Sequence, residues 1–237
     1  MAYETDEKQR RKKTMLNDWR QPHPATLKPL DGGKYPCTAI WEQKISGTFP
    51  IVLKFNDGVY NKDAKTNHKE LEMDYRMRGK LFQALIEACE DPNFDTKQIV
   101  FQKPQFIRVG GASKLSENPI VQGMFTISRK DGVIGMTYTK GDFKVPIVFG
   151  GDYDVVYVKN AEGEKVEDRG LMSRWSCKAW IEFHRKRLDT IEESAWEPPK
   201  PKGDTGGGGG GNRNGNGGSG GGGGGRSNFD DFEDPEF

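Results

Sequence analysis

Flat aromatic side chains interleaved with lysines and arginines are the pattern in this sequence with the clearest chemical use. Unpaired bases stack on aromatic faces and phosphates pair with cations, so a site for a single strand read without regard to sequence needs both. Read as a strand, Ser176 to His184 puts Cys177, Ala179, Ile181 and Phe183 on one apolar face and turns Ser176, Lys178, Trp180, Glu182 and His184 the other way. Trp180 beside Lys178 is therefore the first stacking candidate. Phe101 and Tyr138, on strands expected over Lys97 to Phe106 and Val133 to Lys140, are the others. The candidates for phosphate contact are Lys54, Lys103, Arg108, Lys114, Arg129, Lys130, Lys140, Lys144 and Lys178, many of them in or beside turns. Each phosphate neutralised releases condensed counterions, so such binding weakens steeply with salt.

Catalytic groupings are absent from the pattern. His23, His68 and His184 are scattered, and on a strand Cys177 and His184 point to opposite faces. Cys37, Cys89 and Cys177 form no close pair, which suggests neither a disulfide framework nor a zinc site. The carboxylates of Glu162, Glu164, Glu167 and Asp168 are mixed with Lys165 and Arg169, which reads as a loop and not as a two-metal site. Val109 to Lys114 contains a double glycine but lacks the ending of a phosphate-binding loop, so it reads as a flexible loop over a groove with Lys114 at its tip. The expectation is a binding protein, not an enzyme, with no metal and no cofactor.

The C-terminus carries a different signal. A glycine spacer runs from Gly203 to Gly225, and its composition cannot bury enough surface to offset chain entropy, so disorder is expected there. As a random coil it spans roughly 27 Å. Beyond it lie Phe229, Asp230, Asp231, Phe232, Glu233, Asp234, Pro235, Glu236 and Phe237. Residues 226–237 have a net charge of −4, whereas the first 202 residues have +5, an asymmetry that the overall +1 conceals. A solubilising role would account for the acids but not for three phenylalanines among them. The tail reads as a recruiting peptide on a mildly basic, nucleic-acid-binding body.

This layout resembles the bacterial single-stranded DNA-binding proteins and their bacteriophage counterparts: a binding body, a flexible spacer, an acidic tip and a terminal phenylalanine. The resemblance rests on Asp230 to Phe237 and on the order of the segments. It implies single-stranded DNA as the ligand, and a tip that docks on replication, recombination or repair proteins and competes with DNA for the body's basic groove. The bacterial pattern puts proline directly before the final phenylalanine; here Glu236 stands between Pro235 and Phe237, which favours a phage-type relative. The alternative on the same fold is an RNA-binding or strand-annealing protein, and a metal-dependent nuclease is a third class. Gly-rich ends occur in RNA binders, yet only Arg213 and Arg226 lie in or beside this one.

The elements that must position these residues follow from periodicity. Phe49, Ile51, Leu53 and Phe55 alternate with more polar neighbours up to the turn dipeptide Asp57 and Gly58, and Tyr35 to Lys44 is a preceding strand. One main helix is expected over about residues 68–90, where Leu71, Tyr75, Phe82, Leu85, Ile86 and Cys89 recur at three- and four-residue spacing behind a capping pair of Asn67 and Glu70. Further strands are expected at Ile120 to Ser128, Phe143 to Phe149 and Asp152 to Lys159, with turns at Asp131 and Gly132 and at Gly141 and Asp142. Many short strands with one helix predict a mainly β fold, an OB-fold-like antiparallel barrel; strand count alone does not separate it from a jelly roll.

The expected organisation is a basic, Pro-rich arm (residues 1–33), an OB-fold domain (34–188), a Pro-rich connector (189–202), the Gly-rich linker (203–225) and the acidic tail (226–237). Arg10, Arg11, Lys12 and Lys13 of the arm could extend a DNA path, contact a neighbouring copy, or be solvated. The cysteine usage and lack of an apolar leader predict a reducing cytoplasm, that of a bacterial host if the protein is phage-encoded, and no membrane partner.

Overall fold

Two tight turns set the largest sheet. Asp131 and Gly132 have φ of 52° and 79°, the pair of positive values that a type I′ hairpin needs, and they join β7 (Ile120–Lys130) to β8 (Val133–Lys140). Gly141, with φ of 57°, begins the turn into β9 (Phe143–Val148). On the other side of β7 runs β4 (Thr96–Lys103), giving a four-stranded antiparallel sheet in the order β4-β7-β8-β9. Alternation sends Phe101, Phe125, Ile127, Ile134, Met136, Tyr138, Val145 and Ile147 into the core.

The structure, a computed structural model, describes residues 14–18, 23–26, 28–44, 51–59, 69–109, 111–150 and 154–196. The chain divides into two units, Met1–Glu197 and Pro198–Phe237. All the described residues belong to the first. The tail from Phe229 to Phe237, the Gly-rich linker and the arm residues Arg10 to Lys13 lie outside them.

A second antiparallel sheet has the order β1-β2-β3, made of β1 (Thr38–Gln43), β2 (Ile51–Asn56) and β3 (Glu70–Glu72). Trp41, Ile51, Leu53, Phe55 and Leu71 are its core residues. Ala25 links the two sheets by bridging Thr38 of β1 and Val148 of β9, and its N–H and carbonyl both pair with Val148 at 3.2 Å. The Phe55 ring stacks on Tyr138 with centroids 3.9 Å apart. The architecture is mainly β with antiparallel sheets, but the expected barrel is not closed: among the described residues the ladder ends at β3 and at β4. Two hairpins stand apart from these sheets, β5 (Phe106–Val109) with β6 (Ala112–Leu115), and β10 (Tyr157–Lys159) with β11 (Lys165–Glu167).

There are two long helices among the described residues, not one. Helix α1 (Tyr75–Glu90) starts later than expected, because Glu70–Glu72 pairs with β2 as β3. The cap is Asp74, whose carboxylate accepts the Met77 N–H at 2.8 Å; the expected cap, Asn67, lies outside the described residues. Helix α2 (Arg169–Ala195) replaces the strand expected over Ser176 to His184 and extends through the start of the expected connector. Asp168 caps it by accepting the Leu171 N–H at 2.7 Å. Its buried residues Ser173, Cys177, Trp180, Ile181, His184 and Leu188 recur at three and four, the spacing of one helical face. That face packs on β8 and α1. The Ser173 hydroxyl accepts the Ile134 N–H at 2.8 Å, and a Cβ on Gly170 would lie 2.9 Å from the Asp131 carbonyl oxygen, so glycine permits the start of α2 to rest on the β7–β8 turn.

Candidate nucleic-acid interface

All three expected stacking residues are core residues. Trp180 is 1% exposed, Phe101 5% and Tyr138 0%. Trp180 faces inward because its segment is helical, and its indole stacks near that of Trp41, centroids 5.9 Å apart. Tyr138 and Phe101 occupy the inward parity of β8 and β4; Phe101 meets Phe125 edge-on at 5.8 Å. Burial pushes the Tyr138 phenol far above its ordinary pKa. These rings hold the sheets together and present no face to a base.

Arg129, Lys178 and Lys54 have structural engagements. The Arg129 guanidinium donates to the carbonyls of Ala88 and Asp91, closing the C-terminal end of α1, where unpaired carbonyls favour a cation. The Lys178 ammonium pairs with Glu90 at 3.2 Å. Lys54 lies 3.6 Å from Glu42, and Lys44, near both Glu70 and Glu72, belongs to the same three-stranded sheet's mixed-charge outer surface. A polyanion meets acids as well as lysines there. Lys130 and Lys144 are exposed, on the β7–β8 turn side and on β9.

The remaining candidates converge on the β5–β6 hairpin and its root. Phe106 stands opposite Leu115, Ile107 opposite Lys114, and Arg108 opposite Ser113. Directly opposed residues share a face, so Phe106, Leu115, Arg108 and Ser113 lie on one side of the ribbon, with Ile107 and Lys114 on the other. Phe106 is 76% exposed, and Arg108 and Lys114 are exposed. The turn contains Gly111 at φ of 83°. At the root, the Ser116 N–H donates to the Gln105 carbonyl at 2.7 Å, the Gln105 N–H donates to Ser116 Oγ at 3.0 Å and the Gln105 amide donates to Gln122 at 2.9 Å. Lys103, exposed at the end of β4, precedes the hairpin. Lys140 lies within its field: burial lowers the Lys140 ammonium pKa, Glu72 raises it and Lys103 lowers it.

The segment read from sequence as a flexible loop over a groove, Val109 to Lys114, is thus the end of a paired ribbon. Sequence reasoning missed Phe106. The signal was present: Pro104 interrupts the strand that begins at Thr96, and a short segment on each side of Gly110 and Gly111 has hairpin character.

Other groups with chemical potential are committed elsewhere. His184 is buried, its Nδ1 2.8 Å from the Trp180 carbonyl oxygen, and burial brings its pKa down to about 4. Cys177 and His184 share the buried face of α2, contrary to the opposite faces expected of a strand. Cys37, Cys89 and Cys177 are free thiols. Among the described residues no group of three or more His, Cys, Asp or Glu side chains is arranged to hold a metal ion, and no helix is long and apolar enough to cross a membrane. In comparisons with known proteins the chain matches no family model, no curated protein and no solved structure.

Proposed function

We propose that the protein binds single-stranded DNA without sequence preference, coating and protecting exposed strands in replication or recombination, and that its acidic tail recruits partner proteins. The observation that carries this reading is the β5–β6 hairpin, where Phe106 and Arg108 are exposed on one face, Lys114 is exposed on the other, and Lys103 precedes the ribbon. Such a ribbon supplies one ring for base stacking and cations for flanking phosphates. The body, net +5 over residues 1–202, complements the polyanion, while the tail, net −4, does not. The finer fold we assign is an open, OB-fold-like body with the hairpin as an extension of the β4–β7 pair. Through Phe237 and the neighbouring carboxylates the tail docks in basic, apolar-floored pockets of replication or recombination proteins in a bacterial cytoplasm.

The test is fluorescence anisotropy of labelled dT oligomers of increasing length at two salt concentrations, with Phe106→Ala and the double variant Arg108→Ala/Lys114→Ala beside the wild type. We expect length-dependent binding, a steep salt slope that is shallower in the double variant, and weaker binding by both variants. A labelled oligomer is the appropriate reporter because Trp41 and Trp180 are buried, and the exposed Trp175 and Trp196 lie on α2 and at its end, not on the hairpin. Failure of the wild-type protein to bind dT oligomers at low salt ends this reading. Preference for poly(U) in competition transfers it to RNA, and strand cleavage over time with magnesium or manganese transfers it to a nuclease.

A further inference from the structure

Helix α2 ends in a cavity of about 440 Å³ lined by Tyr75, Asp189, Glu192, Glu193 and Trp196. Two large rings stand exposed in its lining, Tyr75 63% and Trp196 69%; apolar surface exposed together in this way marks contact surfaces. Beneath them Arg78, 2% exposed, donates to Asp189 at 3.3 Å and to Glu192. One guanidinium against three carboxylates leaves two surplus negative charges, and Glu193 is exposed. Aromatic faces beside surplus carboxylates suit the cations of a basic peptide, through cation–π and ionic contacts together.

The chain itself carries such a peptide. Glu7 to Lys13 contains Lys8, Arg10, Arg11, Lys12 and Lys13 against one acid. Where this segment joins the body is defined: Thr14, Met15 and Leu16 line a neighbouring cavity with Lys186, Arg187, Thr190 and Ile191. Thr190 follows Asp189, and Glu193 is one turn further along α2, so the arm leaves the body beside the acidic end of that helix. Six extended residues reach about 20 Å, more than the 10–12 Å or so of a helix's diameter. Lys186 and Arg187 at the exit repel the arm's cations and the carboxylates beyond attract them. Tethering over so short a distance gives an effective concentration on the order of millimolar, which favours the chain's own arm over that of a second copy.

We propose that residues 7–13 dock in the aromatic and acidic cavity at the end of α2 of the same chain. This goes beyond the nucleic-acid reading and stands without it. The test is carbodiimide cross-linking of the full-length protein at low salt, using an equal mixture of ¹⁴N- and ¹⁵N-labelled copies, followed by peptide mass spectrometry. The expected result is amide links from Lys8, Lys12 or Lys13 to Asp189, Glu192 or Glu193 within one isotopic species. Glu193→Lys, at an exposed position, should lower the links to Asp189 and Glu192 at least about fivefold without changing the melting temperature. Links that join ¹⁴N to ¹⁵N peptides would transfer the site to a second copy and overturn the proposal. Arm lysines that remain unlinked to the cavity, or links that Glu193→Lys leaves at wild-type yield, also overturn it.

Discussion

Exposure separates the aromatic side chains by role. Phe106→Ala removes a ring that touches little of the protein, so the expected loss is in binding: stacking is worth about 1–3 kcal/mol per base, or roughly 5- to 150-fold in dT affinity, with an unchanged melt. Trp180→Ala should do the reverse, costing about 3–5 kcal/mol in denaturant unfolding because it empties the centre of an aromatic cluster with Trp41, Phe82 and Phe149. Equal binding losses without destabilisation would reverse these assignments. His184 adds a pH signature. Its folded pKa, about 4, lies below the ordinary imidazole value of 6.5, so the unfolded chain binds the extra proton between these values and stability falls as pH drops from 6.5 towards 4. The amount is about 3 kcal/mol in all. Thermal melts of His184→Gln across that range should show a flatter slope than the wild type; parallel slopes would mean the imidazole is not kept neutral by its surroundings.

At the scale of elements, α2 shows where sequence periodicity is ambiguous. Cys177 and Ile181 are four residues apart, a separation that fits a two-residue strand repeat and a helical face alike. Ala179 and Phe183 complete the first pattern; Trp180, His184 and Leu188 complete the second, and the second is the buried one. The decisive local signal was Asp168, three residues before the N–H that it caps. The three strands from Ile120 to Val148 were legible because their alternation is long and their turns contain glycine at positive φ. The start of α1 was not, since Leu71 is buried both as a strand residue and in a helical count. The candidate site was half legible: Lys103, Arg108 and Lys114 are charged and local in sequence, but the exposure of the Phe106 ring follows from its pairing with Leu115 in a hairpin that a single strand through Phe106 conceals. Ser173→Ala tests the α2 placement directly. It leaves the Ile134 N–H without its acceptor in a buried setting, and about 1–3 kcal/mol should be lost in chemical denaturation; a neutral result would detach α2 from β8.

For the whole molecule, charge is distributed by segment. Deleting residues 226–237 removes a net −4 from the chain, so dT binding should tighten at low salt, and capture of partner proteins should be lost. Screening acts over about 8 Å at physiological ionic strength, so the affinity gap between full-length and truncated protein should narrow as salt rises. A gap that is constant with salt would remove the electrostatic explanation. The bridge at Ala25 has its own consequence for how the body yields. Each sheet is stitched internally by several residue pairs, but among the described residues the backbone hydrogen bonds between them pass through one short segment, with Ala25 on Val148, Thr26 on the Cys37 carbonyl and Ala39 on the Pro24 carbonyl. Under thermal agitation the two halves should shear along this seam before either ravels, so amides of Ala25 and Val148 should trade hydrogen for deuterium sooner than that of Phe125.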